Sequence, residues 1–600
     1  MKKFLKTLSV LLLISALLVG CSSTSTNSTD SGEETTETTT VDGNTWAKTY
    51  DALISKSKAE SDPTARFELL HEAENLLMST GAITPIYYYV NNFMASKRIT
   101  NFYASPLGYR IFTYALVDGK PGGTIVACLA SEPDTLDPAK NTTVDGATYA
   151  ASVYGGLLGY QDDDGLFILT ADLAAEIPEA VKNDDGTVTY EFKLRDGLKW
   201  SDDSDFKASE FVYSWNRAVS PDTAADYAYL FEVVDGYEDA IAGKGELNIS
   251  ADDEANTFTV TLIADTPYFF DLTAFPTFAP VKQSSVEANE EAWANDPATA
   301  ISMGAYKLES KETGKQITFV KNENYWNAEN VTVEKLNFAL SDDDNAILSN
   351  FKTGDYMFIG SFPINEINTL KANYPDEFFT VPYIGTYYIS WNVNAPEFED
   401  FDETQREDIR LALGLLLDRN HIVNNITMGG QNPANSFVPD GISDYNGTQF
   451  TAHNGINGDG SGYFSVDEAD YAENAATAVE MLKAVADDSG LFSYTESGDT
   501  VMFFEGFPEL IYLTNNTTGH IAIAEYIQSV WGSYGITINI ESQEWATFLD
   551  NRKAGNYSVA RNGWIADYDD PISFLDMWVT SSGNNDAQFG KGTHGQYTGY

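Results

Sequence analysis

Residues Trp545–Trp578, WATFLDNRKAGNYSVARNGWIADYDDPISFLDMW, carry the densest pattern in this 600-residue chain. Trp545, Phe548 and Leu549 recur at i, i+3 and i+4, which predicts an amphipathic helix that breaks at Gly555. Tyr557 to Ala560 then alternates as a short strand does. Arg561, Trp564, Asp567 and Tyr568 follow within eight residues around Gly563, so charge, aromatic rings and closely approached backbone are expected to share one turn. An acid at a strand end is ordinarily solvated surface. Here the aromatic neighbours make Asp567 the first candidate for function.

The pattern WxTFLDxRxxGxxxVARxGWxADYxxPxSFL resembles the oligopeptide-binding proteins that feed bacterial ABC importers. The resemblance implies that Asp567 grips the α-ammonium of a peptide, with Gly563, Trp564, Ile565 and Tyr568 around it. It implies that Tyr227 and Trp545 are cleft aromatics and that His520 and Arg561 receive the carboxylates of peptides of particular lengths. Where relatives carry an acid four residues beyond an Asp-Pro, this chain has Thr142, with Asp145 nearby. That departure removes the ground for expecting a preference for basic side chains.

Matches continue outward. Glu132–Pro138 resembles the opening loop of the family and Tyr190–Arg217, YEFKLRDGLKWSDDSDFKASEFVYSWNR, its main signature. Read physically, Tyr190, Phe192 and Leu194 alternate as a half-buried strand, Asp196-Gly197 turns, and Phe211, Val212 and Trp215 form the apolar face of a helix. Tyr50–Ile54 and Ala65–Met78 have helical spacing, and Pro85–Val90 reads as a buried strand. In the family, this pattern, with Pro106-Leu107-Gly108 and Phe112–Ala115, closes the chain. Here it opens the chain, before a first strand at Thr124, so the sequence reads as circularly permuted through the turn Asp118–Gly123. The fold implied is α/β, a two-lobed periplasmic-binding-protein (Venus-flytrap) architecture with an extra α/β subdomain and a hinge-closing cleft. The expected layout is 1–20 signal peptide, 21–45 lipid-anchored flexible linker, 46–87 second lobe, 88–154 first lobe, 155–288 extra subdomain of the first lobe, 289–388 first lobe again and 389–600 second lobe.

Composition bounds the rest. Apolar residues at 43% and aromatics at 13% suffice for large cores. The 89 acidic against 35 basic side chains give a formal charge of -54, which repels nucleic acid. Lys2, Lys3 and Lys6 precede the apolar run Leu8–Val19, a secretory signal too short to span a bilayer. Leu18-Val19-Gly20-Cys21 resembles a lipobox, so Cys21 is the expected lipidation site and the outer face of a bacterial cytoplasmic membrane the expected location. Cys128, in TIVACLA, is expected to be a small buried hydrophobe. There is no His-Glu-x-x-His, Gly-x-Ser-x-Gly or phosphate loop, and neither enzyme activity nor a cofactor is expected, although paired carboxylates can always be drawn among so many acids. Asn457–Glu468, NGDGSGYFSVDE, offers oxygens from Asn457, Asp459, Ser461, Ser465 and Glu468 in calcium-loop spacing with Gly462 at the turn; a Gly-rich turn before a helix at Asp467–Ala484 explains the same residues. The expected partners are an oligopeptide, an ABC permease with its ATPase subunits, and the membrane through the lipid anchor, with the protein itself a monomer. A carrier of a nickel complex, haem or oligosaccharide on the same scaffold, or a receptor or adhesin, is the alternative.

Overall fold

The computed structural model describes residues 44–592 apart from 130, 131, 134, 164, 165, 290, 291, 498 and 499. The expected signal peptide, Cys21, most of the linker and Tyr600 lie outside the described residues. Helix α1 (Asn44–Ala59) leads into helix α2 (Pro63–Ser79). The restart is local chemistry: Asp62 accepts the Ala65 amide, and Pro63, with no amide hydrogen to satisfy, takes the first helical position. Leu70, Ala73 and Leu77, at helical spacing, are fully buried.

The strands β1 (Ile83–Ala95), β2 (Thr124–Cys128), β3 (Tyr306–Glu312), β4 (Gln316–Lys321), β5 (Lys335–Ala339), β6 (Phe358–Ile359), β7 (Phe378–Trp391), β8 (Leu510–Asn515), β9 (Ile538–Gln543) and β10 (Val559–Ile565) form one mixed sheet. Its order is β3-β4-β5-β2-β6-β1-β7-β10-β8-β9. β1 and β7, with 13 and 14 residues, are long enough to serve both halves. The end of β1 pairs with the start of β7 and with β6, which continues to β2. The start of β1 pairs with the end of β7, which continues to β10. Between these blocks the register breaks twice, and Tyr89 alone spans the interval that Tyr383, Ile384 and Gly385 fill on β7. Such bulges bend a strand pair, and the larger one falls between the two blocks of the sheet.

Separate cores fill the lobes. Phe93, Ile125, Tyr149, Phe338 and Phe358 belong to one cluster, while Tyr50, Leu70, Leu77, Tyr388, Trp391 and Trp578 belong to another. The second cluster extends into a subdomain in which Val188–Lys193 pairs antiparallel with Thr257–Leu262. There Val188, Tyr190 and Phe192 alternate inward as expected, under a helix Ser209–Val219 that buries Phe211 and Trp215.

The opening segment is built into this body. Tyr50 donates its hydroxyl to the Leu575 carbonyl at 2.6 Å, and Trp46 stacks on Phe589 at 4.1 Å. Arg66 grips Asp570 with two bonds of 2.7 and 2.8 Å. Cys128 is buried and its thiol is pushed up to about 12 by that burial. Among the described residues no helix is long and apolar enough to cross a membrane.

Two local expectations differ. The turn expected around Gly563 is the end of strand β10, which starts at Val559 and runs to Ile565 because Gly385–Trp391 pairs along all of it. The helix expected from Asp467 begins at Tyr471, after a short 3-10 turn at Glu468–Asp470.

Candidate functional site

A cavity of about 250 Å³ opens beside the strand crossing. Its walls come from Tyr109 and Asn141–Asp145 on one side, Tyr227 and Phe275 of the subdomain, and helix α3 (Trp545–Lys553) with Arg561 and Gly563–Asp567 on the other. β10 offers this cavity more than side chains. Its pairing with β8 is limited to Tyr512–Val559 and Leu513–Ala560, so from Arg561 onward the edge away from β7 carries no strand ladder. Gly563 leaves room there: an added Cβ would meet the Tyr89 hydroxyl oxygen.

Asp567 stands two residues beyond the strand. Its backbone amide donates to Ser573 Oγ at 2.8 Å, and the Ala566 amide donates to the Ile384 carbonyl at 2.9 Å, which fixes the carboxylate's approach. The Tyr227 hydroxyl donates to Oδ1 at 3.3 Å, while Oδ2 is buried with no hydrogen-bond partner among the described residues. Burial, and then the charge of Asp576, push the Asp567 carboxyl well above the usual carboxylate range. Asp576 differs in having a cation: Lys58 lies 3.6 Å from it and 2.8 Å from Glu232. Burial still carries Asp576 up to about 7, against the pull of Lys58.

Arg561 has the opposite problem. It is 6% exposed, donates from Nε to Asn515 Oδ1 at 2.8 Å, and lies over the rings of Trp545 and Phe548 at 5.3 and 5.2 Å. Burial lowers its pKa, and no carboxylate pairs with it among the described residues. Arg552, by contrast, is held by Asp586 at 2.8 Å. The cavity therefore presents an unpaired buried acid, an unpaired buried base and a strand edge between them.

Of the residues named from sequence, Asp567, Trp545, Arg561, Gly563, Trp564, Ile565 and Tyr227 line this cavity. Trp564 is anchored by its indole, which donates to the Ser573 carbonyl at 2.6 Å. Tyr568 does not line it; it is fully buried behind it, stacked on Tyr268 at 5.1 Å. His520 stacks on Tyr387 at 5.5 Å and lines a separate cavity of about 210 Å³ with Asn92, Asp344 and Thr518. Burial, then the charge of Arg561, lower its pKa well below the ordinary histidine range. In the oxygen-rich loop, Asp459 accepts the Ser461 amide at 3.1 Å and Ser465 donates to Asp470 at 2.7 Å, so part of its donor set closes its own turn.

Tyr89, Tyr109 and Tyr383 also line the cavity and were not picked out from sequence. The signal lay in Tyr87-Tyr88-Tyr89: alternation turns Tyr88 toward Ser436, which it meets at 2.6 Å, and Tyr89 to the other face.

Comparison with known proteins gives a consistent picture. Residues 169–586 match the model of bacterial extracellular solute-binding proteins, family 5. The periplasmic oligopeptide-binding protein OppA of Salmonella typhimurium is 31% identical over 473 residues, covering 78% of this chain and 79% of that protein. The oligopeptide-binding protein OppA of Bacillus subtilis is 29% identical over 478 residues, covering 78% and 79%. Among solved structures, Haemophilus influenzae OppA in complex with the peptide RPPGFSPFR superposes with a TM-score of 0.65 at 27% identity, covering 78% of this chain and 84% of the other. The Escherichia coli murein tripeptide binding protein MppA gives the same values.

Proposed function

This chain belongs to the bacterial extracellular solute-binding proteins, family 5, and on that premise we propose that it captures oligopeptides between its lobes and delivers them to the permease and ATPase subunits of an ABC importer. The observation that carries this reading is the buried Asp567 Oδ2, which no group among the described residues satisfies. A peptide's terminal ammonium supplies the missing charge and donors. Its backbone adds as a strand along Arg561–Ile565, and a carboxylate suits Arg561. Ligand contacts to both lobes exist together only when the hinge is closed, so binding favours closure, and the importer reads the closed form.

The same proposal covers the remaining parts. Met1–Gly20 is a secretory signal, and lipidation of Cys21 holds the body at the outer face of the membrane through the linker to residue 45. The lobes exchange near Tyr88 and Tyr388, inside the two crossing strands, with the subdomain at 155–288. The segment 46–116 is the family's closing segment moved to the front. The central place of β1 in the sheet supports that. The protein binds and does not catalyse. Native mass spectrometry of protein purified from its host tests the ligand class: a ladder of peptide masses is expected, and a metal chelate, haem or sugar mass overturns the reading. A chain with residues 44–117 moved behind Tyr600 tests the permutation, and failure to fold or to bind peptide argues against it.

A further inference from the structure

Away from the cleft, His71, Asp444 and His453 converge. His71 comes from helix α2, Asp444 from a turn closed by its own amide on the Thr448 carbonyl at 2.7 Å, and His453 from the end of the 3-10 turn Phe450–His453. Asp444 has a side chain only 1% exposed and, among the described residues, no lysine or arginine partner. Its Oδ1 accepts the Tyr445 amide at 2.7 Å, which leaves Oδ2 to the imidazoles. His453 Nδ1 lies 2.6 Å from that oxygen and His71 Nε2 lies 3.5 Å from it. One ligand atom from each residue falls within 4.8 Å of the other two. We propose that His71, Asp444 and His453 form a binding site for one zinc(II)-class transition-metal ion.

Three donors converge as a metal site requires. Asp444 Oδ2 already has a 2.6 Å hydrogen bond to His453, and its contact to His71, at 3.5 Å, is at the limit of one. It is close to the ~3.3–3.4 Å that separates two ligands on a tetrahedral zinc with bonds of ~2.0–2.1 Å. The shorter contact must widen, and His453, whose side chain is 42% exposed at a turn end, has room to move. His71 is already oriented, because its ring stacks on Phe450 at 3.9 Å. Two imidazoles and one carboxylate are the donor set that zinc, nickel and copper accept, with solvent completing the shell on the open His453 side. The ion would staple the opening helices to the 440–454 loop and so stabilise the joined fold.

The test uses the full chain, stripped with chelator and titrated with zinc chloride by calorimetry and with cobalt(II) by visible spectroscopy. One equivalent of zinc is expected to bind, cobalt is expected to give the d–d absorption of a low-coordinate site, and the melting midpoint is expected to rise with zinc. His453→Gln, at a half-exposed position, and His71→Gln should each weaken zinc at least ~10-fold and abolish the cobalt band. His421→Gln should change neither. If His71→Gln misfolds, His453→Gln decides alone, with its zinc-free melting curve as the control. Several weak equivalents held equally by wild type and His453→Gln would reveal diffuse binding to the acidic surface, and that result or a missing cobalt band overturns the proposal.

Discussion

Replacing Asp567 with Asn keeps the shape of the cleft and removes one charge. In the bound form the carboxylate faces an ammonium inside a closed cavity, and breaking such a buried pair costs ~3–5 kcal/mol. Part of that is offset. In the ligand-free protein the carboxyl is raised well above its usual range by burial and by Asp576, so the wild type must first ionise a group that prefers to hold its proton. The net loss is then ~3 kcal/mol, a ~100-fold weaker affinity for free-amine peptides, since ~1.4 kcal/mol is tenfold. N-acetylated peptides carry no terminal charge, so they should bind wild type weakly and lose little more on mutation. The same reasoning fixes a second sign. An acid whose folded pKa is raised costs stability as pH rises from its unfolded value through its folded one, so Asp567→Asn should raise the melting temperature of the ligand-free protein at neutral pH while weakening binding. Calorimetry on matched free and acetylated peptides, with thermal unfolding, reads both. Equal losses for the two peptide forms, or a lower melting temperature with unchanged affinity, would refute the account of Asp567 as an unpaired acid awaiting an ammonium.

Because Asp567 must ionise to bind, capture of a free-amine peptide should release a proton, and affinity should rise with pH until the raised pKa is passed; calorimetry in buffers of different ionisation enthalpy reads the proton. Arg66→Met should lower stability by ~3–5 kcal/mol in urea unfolding, since it leaves Asp570 buried without its two bonds of 2.7 and 2.8 Å. Gly563→Ala should cost ~1–3 kcal/mol because its Cβ would lie 2.3 Å from the Tyr89 oxygen, and Tyr89→Phe should recover part of that loss in a double-mutant cycle. Cys21→Ala should move the protein from the membrane to the soluble fraction, where wild type is released by detergent but not by high salt.

Much of the scaffold was legible because it is encoded between near neighbours. The helix that runs Pro63–Ser79 is legible over Ala65–Met78 from its spacing, and the strand at Tyr190 from alternation. The candidate acid, Asp567, stood out by the aromatic company it keeps. Sequence could not say that Gly563 lies inside a strand and not in a turn, since that depends on its pairing with Tyr387 of β7, far away in the chain. Nor could it send Tyr89 into the cavity while Tyr568 stacks on Tyr268 and His520 lines another cavity, because those places follow from contacts between segments distant in the chain. Asp567 and Asp576 show the division most clearly. They are two acids of one short stretch, both raised by burial, yet Asp576 meets Lys58 from the opposite end of the described chain and Asp567 meets no cation among the described residues. Local pattern determines where a chain turns and which side faces inward; whether a buried charge finds its partner depends on contacts between distant segments, and only the folded sheet brings those together.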